Sequence, residues 1–141
     1  MSPWALPVEF VDARHQWEQV TTLADLSTVG RAALASLQAI AKLPQGWDGR
    51  NSPPLNPAAR MAAANLLKGI DFNGMPGPHV APVAGGGVQF EWRLKECELE
   101  VEIHPTGQAT FLAMRDDDTL AEGETDDVWS VARLVQSLAA V

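Results

Sequence analysis

The sequence predicts an α+β fold: N-terminal helices, then an antiparallel β-meander of three to four strands, then a C-terminal helix. Three observations carry it. Apolar residues recur in steps of three and four between residues 15 and 43: Trp17, Val20, Leu23, Leu26 and Val29, then Leu34, Leu37 and Ala41. An Ala-rich run opens at Asn56-Pro57, an N-cap followed by a proline whose missing N–H costs nothing in the first turn. Strict alternation then runs from residue 87 to residue 115.

The chain of 141 residues is the length of one domain, 1–141. Residues 1–14 read as an extended arm, in which Leu6, Val8 and Phe10 alternate and Pro7 suits an edge strand. Residues 15–70 read as helical. Ser27-Thr28 and Gly30 break the first run, and Pro44 stops it. Residues 44–57 form a Pro/Gly-rich loop, and the helix from Pro57 to Lys68 ends at Gly69, which can take a left-handed terminal position. Residues 71–87 read as loop, apart from a short extended piece at 79–83.

The meander spans 78–115. Val88, Phe90, Trp92 and Leu94 alternate with polar residues, as do Leu99, Val101 and Ile103. A two-residue link at Glu96-Cys97 predicts Leu94 opposite Leu99, Trp92 opposite Val101, Lys95 opposite Glu98 and Arg93 opposite Glu100. The turn around Pro105-Thr106-Gly107 predicts Val101 opposite Phe111, and Ile103 opposite Ala109. Leu112 and Met114 then emerge on the same face as the glutamates. Residues 116–127 read as an acidic loop, and Asp126 or Asp127 caps a last helix over 126–141. Trp92, Trp17 and Trp129 are expected to pack. Trp47 is either a plug that pins its loop or an exposed anchor, and Trp4 has the same two readings.

Charge is distributed unevenly. The net charge is −8. Residues 1–90 hold six acids and six bases, whereas residues 91–141 hold twelve acids and four bases. Binding to a phosphate backbone needs clustered Lys and Arg, so direct nucleic-acid contact is not expected. The N-terminus lacks a basic segment followed by an apolar one, no run is long enough to span a bilayer, and Cys97 stands alone. A cytoplasmic protein without membrane attachment is the expectation.

No motif announces catalysis. His15, His79 and His104 lack metal-ligand spacing, and Asp116-Asp117-Asp118 lacks the alternate spacing and closing Glu of a calcium loop. No metal or other cofactor is expected. Gly85-Gly86-Gly87 lacks the Lys-Ser/Thr tail of a phosphate loop. Glu91, Glu100 and Glu102 share a strand face, where carboxylates can do acid–base chemistry, form a solvated surface, or dock a basic protein.

Two stretches resemble a group of small bacterial proteins of unknown function. The first is Leu43-Pro44-Gln45-Gly46-Trp47-Asp48-Gly49 with Ser52-Pro53 and the Ala-rich helix. The second is Pro82 through Gly86-Gly87-Val88-Gln89-Phe90-Glu91-Trp92, followed by Leu99-Glu100-Val101-Glu102-Ile103 and a Gly turn. The resemblance covers residues 43–112. It implies a shared scaffold and brings no catalytic assignment.

The expectation is therefore a non-enzymatic, acidic protein-binding module. It would inhibit a basic partner such as a nucleic-acid-binding effector, in an anti-defence (for example anti-CRISPR), antitoxin-like or immunity-like role. Its partner-binding residues would be Glu91, Glu98, Glu100, Glu102, Leu112, Met114, Asp116, Asp117 and Asp118, with Trp47 and Asp48 anchoring the long loop. Two alternatives stand beside it. One is a small enzyme or ligand-binding domain with a pocket at loop 44–57, using Trp47, Asp48, Arg50 and His79 or His104. The other is a homodimer that adds the N-terminal arm as a strand.

Overall fold

A computed structural model describes residues 27–140 and shows an α+β architecture. The expected arm, the packing of Trp17 and the two readings of Trp4 lie outside these residues. Helix α1 (Thr28–Ala41) is capped by Ser27, whose Oγ accepts from the Gly30 N–H at 3.2 Å. Helix α2 (Pro57–Lys68) is capped by Asn56, which accepts from the Ala58 N–H at 2.9 Å. Helix α3 (Val128–Ala139) is capped by Asp127, which accepts from the Trp129 N–H at 3.0 Å. All three caps are short polar side chains that satisfy a donor left without a partner in the first turn.

Between α2 and α3 run β1 (His79–Val83), β2 (Gly87–Arg93), β3 (Glu98–Ile103), β4 (Ala109–Arg115) and β5 (Asp118–Thr125). They form one antiparallel sheet in the order β1-β2-β3-β4-β5. The alternation decides which face is covered. Val88, Phe90 and Trp92 of β2 and Leu99, Val101 and Ile103 of β3 are all buried. They meet Leu34 and Leu37 of α1, Leu66 and Leu67 of α2, and Val131 and Val135 of α3 in one core. Each such side chain contributes roughly 1.5–3 kcal/mol by leaving water. The rings of Phe90 and Trp92 stack with centroids 5.9 Å apart. The opposite face of the sheet carries the polar set.

Five sequence expectations need correction. The sheet has five strands, because residues 118–125 are a strand and not part of an acidic loop. Asp116 and Asp117 form the turn before it, with Asp116 at a φ of +53°, a conformation Asp tolerates better than most residues. The β2–β3 register is displaced by two residues: Trp92 faces Leu99, Phe90 faces Val101 and Arg93 faces Glu98. The cause is the link, which comprises four residues closed by Leu94 N–H donating to the Cys97 carbonyl at 2.8 Å. A slip of two keeps every side chain on its expected face.

The last helix is shorter than expected, at 128–139. Gly69 is not left-handed; its φ is −81°. Glycine is needed there for proximity, since a Cβ would lie 2.8 Å from the Ala132 Cβ and 2.9 Å from Trp129 Cε3. Trp129 packs only in part, covering Gly69 while remaining 43% exposed. Trp92 is core, as expected. The β3–β4 pairing follows expectation, with Val101 opposite Phe111 and Ile103 opposite Ala109. Its turn is closed by His104 N–H donating to the Gln108 carbonyl at 2.8 Å, with Gly107 at a φ of +93°.

Candidate functional site on the outer sheet face

The sheet face turned away from the three described helices is built by the same alternation that builds the core. Gln89, Glu91 and Arg93 of β2 stand beside Glu102, Glu100 and Glu98 of β3, and these stand beside Thr110, Leu112 and Met114 of β4. Glu122 and Glu124 of β5 continue the row opposite Leu112 and Thr110. A shallow depression of about 470 Å³ lies on this face. His79, Glu91, Glu98 and Glu100 border it, and Leu112 and Met114 give it an apolar part.

Glu91 and Glu100 are cross-strand partners, so two like charges face one another. The side-chain amide of Gln89 sits between them. Its Nε2 donates to Glu91 Oε2 at 2.7 Å and to Glu100 Oε2 at 2.9 Å. A single donor nitrogen thus bridges both carboxylates. Arg93 pairs with Glu98 at 2.9 Å, but both side chains are mostly exposed, so the pair is worth about 0–1 kcal/mol. Farther along, His104 Nδ1 lies 3.4 Å from Glu102 Oε2, and its Nε2 lies 3.3 Å from Thr110 Oγ1.

The structure brings together Glu91, Glu98, Glu100, Glu102, Leu112 and Met114. Leu112 and Met114 are half-buried beside the carboxylates. Asp116 borders a neighbouring hollow with Glu98 and Met114, whereas Asp117 completes the turn and Asp118 starts β5. Neither Asp117 nor Asp118 borders the depression. Sequence reasoning missed the bridging role of Gln89, and it counted Glu122 and Glu124 into the binding surface as part of an acidic loop 116–127 rather than as strand residues of the sheet face. Gln89 was legible, since it lies two residues before Glu91 on the same strand face.

Loop 44–57 is held by its own polar groups. Asp48 Oδ1 accepts from the N–H groups of Arg50 at 2.9 Å and Ser52 at 3.2 Å. These bonds, the Arg50 N–H foremost, hold the Asp48 carboxyl below its ordinary range. Ser52 is buried, and its Oγ accepts from the Gly85 N–H at 3.2 Å. The Asn56 N–H donates to the Gly86 carbonyl at 3.0 Å. The loop is therefore fastened to the β1–β2 turn, with Trp47 half-buried in it. No residue of 44–57 borders the depression on the outer sheet face.

Among the described residues, no group of three or more His, Cys, Asp or Glu is placed to hold a metal ion. No helix among them is long and apolar enough to cross a membrane. Burial pushes the Cys97 thiol above its ordinary range. No family model matches the chain, and no curated protein or solved structure matches it either.

Proposed function

We propose that this protein is a non-enzymatic binding module whose outer sheet face docks a basic segment of a protein partner. The observation that carries the proposal is the Glu91–Glu100 pair. Two carboxylates face each other across β2 and β3 and converge on one N–H donor group. That geometry suits a planar guanidinium, which offers several donors in a fixed fork. An incoming arginine would displace the neutral Gln89 amide and lay its aliphatic stem along Leu112 and Met114. An apolar centre with a charged rim is the common anatomy of a protein interface.

A partner carrying such arginines is basic, and many basic proteins bind nucleic acids. The module would then act as an inhibitor that occupies a basic groove, in an anti-defence, antitoxin-like or immunity-like role. The resemblance of residues 43–112 to small bacterial proteins is compatible with this reading and supplies only a scaffold.

The test is capture of a partner on the immobilised protein at low and high salt, with the variant E98K/E100K/E102K alongside. The expected result is a basic protein retained at low salt, released at high salt and lost on the variant. If the parent and the triple variant retain the same proteins, the face assignment is wrong.

A further inference from the structure

We infer that the free edge of β5 is a strand-addition site for an extended segment with the pattern basic–apolar–basic, placed along Ala121–Thr125. This rests on the acidic-face reading above and names how the basic partner engages it. Among the described residues, β5 has β4 as its only strand neighbour. Six of its eight residues are exposed. The other edge is different: β1 contains Pro82, which has no N–H to donate, its last four residues are half-buried, and α1 packs against it. The two edges are thus unequally open.

The usable length is set by a bulge. Ala113 pairs with Ala121 but Met114 pairs with Thr119, so Leu120 is an extra residue and interrupts the ladder. Beyond it, Ala121 to Thr125 is regular. Within that stretch Glu122 and Glu124 belong to the outer face, continuous with Leu112 and Thr110. Gly123 belongs to the inner face, where the Phe111 ring lies over it. A Cβ there would be 2.8 Å from Phe111 Cζ. Phe111 itself is only half-buried.

An added strand would therefore meet carboxylates on one face and an incompletely covered aromatic ring on the other. Alternating Lys or Arg with an apolar residue satisfies both. A second copy of this chain fits poorly. An antiparallel pairing of two β5 edges about Gly123 would set Glu122 against Glu124 twice.

The experiment is an NMR titration of the 141-residue chain with the peptide Ser-Lys-Val-Lys-Val-Lys-Ser. Two further peptides carry backbone N-methyl groups on alternate residues, in the two possible frames. These keep every charge and remove the hydrogen-bonding edge. Amide exchange is followed throughout at the alternate residues of Ala121–Thr125 whose N–H groups point away from β4. The expected result has four parts: fast exchange in the free chain, slowing with the parent peptide, at least tenfold weaker binding of one methylated frame, and at least tenfold weaker binding to the E122K/E124K variant.

Three results overturn the inference. One is equal binding of all three peptides. If E98K/E100K/E102K also abolishes that binding, the acidic-face reading survives and only strand addition fails. Another is no binding of any peptide. The third is slow exchange at those outward-pointing amides in the free chain, which would show the edge already occupied by this chain or by a second copy.

Discussion

Neutralising one member of the facing carboxylate pair should make the free protein more stable. Glu91 Oε2 and Glu100 Oε2 both lie within hydrogen-bond reach of Gln89 Nε2, so they are separated by less than about 6 Å. At about 5 Å in a water-like dielectric, two unit charges repel by roughly 0.8 kcal/mol. Substituting Glu100→Gln removes that repulsion and keeps an oxygen that can accept from Gln89. One charge-assisted bond becomes a neutral one, which returns part of the gain. The expected net gain is about 0.5 kcal/mol, or roughly 1–2 °C in Tm for a domain of this size.

The assay is thermal and urea unfolding at low ionic strength and again in 1 M NaCl. At 1 M the screening length falls to about 3 Å, shorter than the separation, so the gain should vanish there. The same substitution should weaken capture of the partner. Equal or lower stability at low salt would refute the reasoning, because the pair would then not be a cost that the free protein carries.

Three other substitutions test the fold. Gly69→Ala meets Ala132 Cβ, which has no rotamer to yield; overpacking of about 1–3 kcal/mol outweighs the loss of unfolded-state freedom of about 0.4–1 kcal/mol. Urea denaturation should therefore show a net loss near 1–2 kcal/mol. Asn56→Ala removes the α2 cap and should cost about 1 kcal/mol, while the Asn56 N–H still holds Gly86. Asp48 titrates below its ordinary value, so its contribution is complete above that value and is lost as pH falls through the lowered one. Asp48→Asn should accordingly show a shallower loss of stability in acid, read as Tm against pH.

Much of this architecture was legible because side-chain period and burial coincide. Val88, Phe90 and Trp92 announce both their strand and its inner face, and the face survives the wrong β2–β3 register since the slip is even. Asn56-Pro57 marks its helix start to the residue. Strand β5 was hidden for a physical reason. Its inward positions are Ala121, Gly123 and Thr125, too small to show an apolar period, because Phe111 of β4 fills the space over Gly123. Its outward Glu122 and Glu124 then read as part of a solvated acidic loop. Gly69 misled because a glycine at a helix end signals positive φ more often than it signals the close passage of another helix. The glutamates of the site were legible from alternation; their convergence on Gln89 depends on rotamers, which no periodicity encodes.

The sheet order repeats the chain order, and that bears on how the molecule assembles. Every strand pairing closes a connection of only a few residues, so the meander forms at little loop-closure entropy. The C-terminal helix is the contrary case. Its Gln136 bonds the backbone of Asp71 at both the N–H and the carbonyl, across 65 residues of sequence. The hairpins can therefore zip before α3 docks, and part of their apolar face waits uncovered until Val131 and Val135 arrive. Truncating Val135 to Ala should then act mainly on the unfolding rate, whereas truncating Val101 should slow folding itself.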